Sequence, residues 1–336
     1  GGGDDDNVEP PETIDPAGTD NLFVVNRLLL PTTATQANSY GLVLDGNPQN
    51  RPNNALGQIL STLASQSSDV SLQDSIDKQI NTGGIILLNR IKATALTMAT
   101  GVGSWIYLGD PATATPAPCT DELDTVCGHH LDGTGTFTTD AASPNDARVS
   151  GHIIGGQFTG GPGTVTIQIA LTEGSADAVT LNLIGARMVG NVTADGMGSE
   201  GSPAKLGGAI TDSDLHEHVL PALQGILSDN IDKYCTGIDN GTDACGCEDG
   251  STGRTLLDLF DETDTNGDPN PDCMVTLEEL EANSLISSLL APDVDLLDGD
   301  GNFNPRKDGV KDSLSLGIAF TTTTADFTYP ANPDGL

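Results

Sequence analysis

Basic residues are scarce. Thirteen Lys and Arg stand against 48 Asp and Glu, a formal charge of −35. A surface this negative repels phosphate, which excludes nucleic acid as a partner and disfavours an anionic membrane surface. Aromatic residues make up only 4% of the chain, with Trp105 the sole tryptophan. The core must therefore come from Val, Ile, Leu and Ala, and a stacking cleft for sugars has little to be built from. No run of about 18 apolar residues occurs, so nothing reads as a transmembrane helix.

Catalytic signatures are missing as well. There is no Gly-x-Ser-x-Gly elbow. His216-Glu217-His218 lacks the second His of a metalloprotease helix, because Leu220 stands at that position. At i and i+2 on a helix, His216 and His218 point to different faces. His129-His130 beside Cys127 read as a polar pair in a disulfide loop, and His152 reads as structural. Gly155-Gly156 and Gly160-Gly161-Pro162-Gly163 are not followed by Lys-Ser/Thr or a helix, so they are turn chemistry rather than a phosphate loop. No catalytic residue is assigned.

What the chain does have begins with six Cys. An even number fits an oxidising compartment. Cys119 and Cys127 are set apart and pair locally. Cys235, Cys245, Cys247 and Cys273 are then left for two bridges near the chain's acidic region. Cys245-Gly246-Cys247 lacks the two-residue gap of a zinc knuckle. The start, Gly-Gly-Gly-Asp-Asp-Asp without Met, resembles a processed end and the spacer after the lipidated Cys of bacterial lipoproteins, which implies a lipid anchor there. Residues 1–20 are polar and Pro-rich, and are expected to be a flexible acidic tether.

Strands are expected from Leu22 to Leu30, over 85–96 and over 102–108. Alternation also marks Val165-Ile167-Ile169-Leu171, Val179-Leu181-Leu183 and Leu314-Leu316-Ile318-Phe320. Helices are expected after Asn54, over Leu72-Ile76-Ile80 with an Asp74–Lys78 pair, and over 212–231 with a kink at Pro221. The expected architecture is α+β: a β-rich, sandwich-like antiparallel core over 21–210, a disulfide-linked helical insertion over 211–312, and a closing strand and tail over 313–336.

The chemistry that can be named lies in that insertion. Phe260-Asp261-Glu262-Thr263-Asp264-Thr265-Asn266-Gly267-Asp268 runs, after an interruption, into Val275-Thr276-Leu277-Glu278-Glu279. This resembles an EF-hand, in which alternate oxygens face Ca²⁺, Gly relieves the turn and a helix-borne Glu closes the shell. The resemblance implies Asp261, Asp264, Asn266 and Glu279 as ligands, with Asp268 and Asp272 as substitutes. It departs from the pattern twice: Asp264 and Asn266 sit one place late, and residues 268–274 replace a single residue. A second acidic loop offers Asp298, Asp300, Asn302 and Asn304 at every other position, with Asp308 and Asp312 to close it. Crowded carboxylates repel one another without a cation. An oxygen-only set argues for Ca²⁺ over zinc or copper.

These motifs, with Ala291-Pro-Asp-Val-Asp-Leu-Leu-Asp298 and Asp308-Gly-Val-Lys-Asp-Ser-Leu-Ser-Leu-Gly317, resemble a group of secreted or surface proteins from myxobacteria and related bacteria. The resemblance extends over 20–328 and implies location and metal, but no activity. The sequence thus points to a secreted or surface-anchored, calcium-stabilised structural or binding protein, the self-assembling subunit of an extracellular filament or layer. Its expected partners are further copies of itself or another surface protein. The alternative is an extracellular hydrolase acting on a polymer through Asp/Glu pairs or the histidines of a cleft.

Overall fold

Val, Ile and Leu at every second position make the strands, whose pleat sends alternate side chains to opposite faces. The computed structural model describes residues 10–47, 49–66, 72–121, 123–169, 178–261 and 272–336. The chain folds as two units. The described residues up to Asp212, with Pro292–Leu336, form the first, and Ser213–Ala291 form the second.

In the first unit the strands are β1 (Thr19–Leu29), β2 (Leu87–Ala93), β3 (Met98–Leu108), β4 (Thr136–Thr138), β5 (Arg148–Ile154), β6 (Gln157–Ile169), β7 (Val179–Thr193), β8 (Gly196–Met197), β9 (Ala204–Thr211), β10 (Ser313–Thr324) and β11 (Asp326–Thr328). Strands β1, β2, β3, β5, β6, β7, β9 and β10 pair antiparallel in that order. Strand β10 then returns to β1, with Leu29 opposite Ala319 and Phe23 opposite Thr324. The α+β, β-rich architecture with its large antiparallel sheet is as expected, and pairing of the first strand with the tenth closes that sheet into an up-and-down barrel. The short β8 folds back on β7, and β4 pairs with β11 in parallel as a separate ribbon.

The barrel is filled. Val25, Leu28, Leu87, Ile106, Ile167, Leu206, Ile318 and Phe320 surround a residual cavity of about 10 Å³, room for one water and far too small for an organic ligand. Odd and even positions separate as the pleat requires: Leu87 faces this interior, while Leu88 joins an outer cluster with Ile14, Val24, Trp105, Tyr107 and Phe327. Gly155 and Gly156, with φ of 60° and 82°, form the two-residue turn between β5 and β6. Gly160–Gly163, expected as a turn between strands, lies inside β6, where the register with β7 slips. Gly-rich sequence serves a bulge as readily as a turn.

Three helices precede β2: α1 (Ala34–Tyr40), α2 (Ala55–Gln66) and α3 (Leu72–Asn81). Asn54 caps α2 as expected, its Oδ1 accepting the Gly57 N–H at 3.0 Å. In α3, Leu72, Ile76 and Ile80 are buried on one stripe. Residues 10–18 belong to the stretch expected to be a tether, yet they are packed. Ile14 is buried, Asp15 N–H donates to Gly101 O at 2.8 Å, and Glu12 meets His152 Nδ1 at 2.7 Å. One buried apolar side chain and two polar anchors are enough to hold so short a piece of chain.

The second unit is helical. α4 (Asp212–Asp214) passes through a π turn (Leu215–Val219) into α5 (Leu220–Tyr234), followed by α6 (Thr252–Phe260), α7 (Leu277–Ala282) and α8 (Ser284–Leu289). The expected kink at Pro221 takes the form of that π turn, in which Leu220 N–H reaches back to Leu215 O. A proline has no N–H and crowds the carbonyl four residues back, and the wider turn accommodates both. The unit's core joins Leu227, Ile231, Leu257, Phe260, Val275 and Leu280 with Cys235, Cys245 and Cys247. Cys119–Cys127 closes as expected, and the other four cysteines form the two bridges expected of them, paired Cys235–Cys247 and Cys245–Cys273. They point to an oxidising environment. Among the described residues no helix is long and apolar enough to cross a membrane.

Candidate metal centre

The second unit brings three carboxylates together. Leu257 and Phe260 bury one face of α6, which leaves Asp261 at its C-terminus, itself buried. Two backbone donors approach it: Asp272 N–H reaches Oδ1 at 3.2 Å and Cys273 N–H reaches Oδ2 at 2.9 Å. Cys273 takes a left-handed backbone, φ 68°, where the Cys245–Cys273 bridge anchors it. Asp272 is exposed, and its own Oδ1 accepts Met274 N–H at 3.0 Å.

The third carboxylate comes from the start of α7. Thr276 and Glu279 form a capping box: Oγ1 of Thr276 accepts Glu279 N–H at 3.2 Å, and Oε2 of Glu279 accepts Thr276 N–H at 2.7 Å. That fixes the Glu279 carboxylate with one oxygen spent. The other, Oε1, is buried and has no hydrogen-bond partner. Ligand oxygens of Asp261, Asp272 and Glu279 lie within 4.8 Å of one another. A buried acceptor without a donor is costly, and a cation is the group that would satisfy all three carboxylates at once. The residues therefore fit a metal ion.

Electrostatics agree. Burial raises the Asp261 pKa, the Asp272 and Glu279 charges push it further up, and the two backbone N–H groups offset only part of this. The sign follows: a carboxyl that holds its proton more tightly folded than unfolded costs stability as pH climbs from the ordinary carboxylate value through the raised one. At neutral pH the cation-free unit carries the full penalty.

Glu279→Gln tests this. The amide oxygen can keep the capping box while its NH₂ donates to the neighbouring carboxylates. In excess chelator the variant is expected to be about 1 kcal/mol more stable than the parent, and its melting point should no longer respond to divalent cations. Melts of both proteins with and without chelator check it. A variant less stable than the parent in chelator would mean that the third carboxylate is not repelled.

The structure does not treat the other candidate ligands alike. Asp264, Asn266 and Asp268 lie outside the described residues. In the second loop several side chains accept hydrogen bonds from nearby backbone. Asp298 Oδ1 accepts Asp300 N–H at 3.1 Å and Asn302 N–H at 2.9 Å, bonds that lower its pKa. Asp308 Oδ1 accepts Val310 N–H at 2.9 Å. Asp312 takes Leu297 N–H at 2.9 Å and the Ser313 hydroxyl at 2.6 Å. Asn304 N–H bonds Leu296 O at 2.8 Å, and Asp300 is exposed. Asp295 is the residue not assigned from sequence. Burial and the charges of Asp308 and Asp312 raise its pKa. This segment belongs to the first unit, where Val294 and Leu296 pack against Leu44 and Ala209. Among the described residues, no other three His, Cys, Asp or Glu side chains converge as Asp261, Asp272 and Glu279 do.

The histidines do not share one environment. His130 is fully buried against Phe137, with rings 6.3 Å apart, and burial lowers its pKa. His129 is exposed. In the second unit His216 is exposed on the π turn, 4.0 Å from Glu281. Compared with protein-family models, curated proteins and solved structures, the chain has no match.

Proposed function

We propose that this chain is a structural or binding protein of an oxidising, extracytoplasmic setting, whose helical unit is held in shape by Ca²⁺. One observation carries the reading: Glu279 has a buried carboxylate oxygen without a donor, in a group whose ligand oxygens, with those of Asp261 and Asp272, lie within 4.8 Å of one another. Oxygen-only ligands favour a hard cation, and Ca²⁺ tolerates the irregular shell that an enlarged loop provides better than Mg²⁺, which demands an octahedron. Asp261, Asp272 and Glu279 are the ligands proposed. For the second loop, where Asp298, Asp308 and Asp312 accept backbone hydrogen bonds, the same role for Asp298, Asp300, Asn302, Asn304, Asp308 and Asp312 rests on the spacing of their oxygens alone.

The role of the ion is architectural. Extracellular modules of this kind bind at about 10⁻⁴–10⁻³ M, so the unit would be complete only where calcium is plentiful. The filled barrel suits a scaffold and not a carrier. Thermal melts of the oxidised protein in millimolar CaCl₂ and in excess chelator test the reading. At ten times Kd a folded-state ligand stabilises by about 1.4 kcal/mol, and the midpoint should rise accordingly. Identical midpoints would remove the metal from the account.

A further inference from the structure

The outer face of β2 and β3 sets the sole tryptophan between two arginines. Arg90 is 2% exposed. Its guanidinium lies 4.4 Å from the Trp105 ring and 4.3 Å from the Tyr329 ring, its Nε donates to Asp20 Oδ1 at 2.8 Å, and its Nη1 donates to the Leu336 main-chain oxygen at 3.3 Å. Arg148 lies 5.6 Å from the other side of the same tryptophan and pairs with Asp334. Two of only 13 basic residues are thus spent on one patch of a chain with 48 acidic ones.

What covers the patch is the chain's own segment from Ala325 to Leu336. Phe327 is buried in the outer cluster, Tyr329 stacks on Tyr107 at 6.0 Å, and Asp334 supplies the carboxylate for Arg148. This is a groove that recognises an aromatic, acidic peptide. The seating is imperfect. Trp105 Nε1, fully buried, has no acceptor, and neither Arg148 Nη1 nor Asn332 Oδ1 has a partner. The two unpaired donors, Trp105 Nε1 and Arg148 Nη1, are what a better-placed acidic peptide would satisfy. The segment leaves β10 after a single residue, Ala325, whose N–H is tied to Leu22 O at 3.1 Å, so in its own groove it has little freedom to adjust.

We propose that this groove docks the same segment from a second copy of the chain, exchanged for the resident one as subunits assemble. This deepens the structural-protein reading. Among the described residues each barrel strand has a neighbour on both sides along part of its length, and exchange of an identical segment needs no new surface.

A charge-swapped pair tests it. Arg148→Glu in one chain and Asp334→Arg in another each break the resident pair, while mixing restores opposite charges across both grooves only between chains. Each variant alone is expected to sediment as a monomer, and the equimolar mixture at twice that mass with the buried emission of Trp105 recovered. A chain carrying both substitutions restores the pair within and between copies alike, and is expected to assemble as the unsubstituted chain does. A mixture that stays monomeric overturns the proposal. Should either variant fail to fold, heavy- and light-isotope populations of the unsubstituted chain can be mixed and cross-linked between carboxylates and amines. Mixed-isotope links from the segment to the β2–β3 face support exchange, and their absence overturns it. The calcium response of the second unit is read separately, so failure of exchange leaves the metal reading standing.

Discussion

Asn54→Ala is expected to cost the first unit about 3–5 kcal/mol, far more than the loss of an ordinary helix cap. The reason lies in where β1 stops. Its pairing with β10 ends at Leu29 opposite Ala319, and Pro31 follows. Below that point β10 would have backbone groups buried without partners. Asn54 replaces the missing strand: its Nδ2 donates to Gly317 O at 2.9 Å and its Oδ1 accepts Gly317 N–H at 2.7 Å. The same carboxamide also donates to Ala37 O at 2.9 Å and accepts Gly57 N–H at 3.0 Å. Asn54 is 6% exposed, so water cannot stand in for it.

Gly57 makes the geometry feasible, since a Cβ there would lie 2.3 Å from the Asn54 oxygen. One rung further, Asp293 does similar duty, accepting Ser315 N–H and hydroxyl at 2.7 Å each. Urea unfolding measures the effect. A loss below about 1 kcal/mol would mean that solvent or a rearranged loop satisfies Gly317. Asn54→Asp, which would set a buried carboxylate oxygen against the Ala37 and Gly317 carbonyls, is expected to cost at least as much.

Replacing Cys245 and Cys273 together by Ser is expected to destabilise the second unit by about 3.5 kcal/mol, the loop-entropy value for a closed loop of 28 residues. The effect should reach the candidate metal centre as well. Cys273 N–H is one of the two donors that hold the Asp261 carboxylate, and the bridge keeps that residue in its left-handed conformation. Without it, Asp272 and Cys273 lose their fixed position next to Asp261, and the calcium concentration needed to raise the melting point should increase several-fold. A double variant with unchanged stability would show that the capping box and the packing of Val275 and Leu280 suffice to fix the loop.

Much of the fold could be read locally. Strands β6, β7 and β10 announce themselves by period-two alternation, and α3 by its Leu72-Ile76-Ile80 stripe. Barrel closure could not be read this way, because nothing near Phe23 or Thr324 says that these two residues face each other. Helix α1 escaped notice because its sequence, Ala-Thr-Gln-Ala-Asn-Ser-Tyr, has no apolar stripe; Thr33, accepting Gln36 N–H at 3.2 Å, starts it.

The candidate metal centre was half legible. Asp261 ends α6 and Glu279 lies in the first turn of α7, at EF-hand-like positions. Asp272 joins them where the Cys245–Cys273 bridge and the two hydrogen bonds to Asp261 hold Asp272 and Cys273 beside that carboxylate. In the second loop the spacing of oxygens resembles a ligand set, yet the same residues form Asx-type turns, and spacing alone does not separate the two. Arg90 gave no sign at all: its role depends on Trp105 and Tyr329 arriving from other parts of the chain.

Calorimetric titration of Ca²⁺ into oxidised, chelator-treated protein, run beside Glu279→Gln, tests the central claim most directly. Saturable binding is expected in the parent, with Kd at or below about 10⁻³ M, and none at that site in the variant. Equal heats in the two proteins, or none in either up to millimolar calcium, would contradict it.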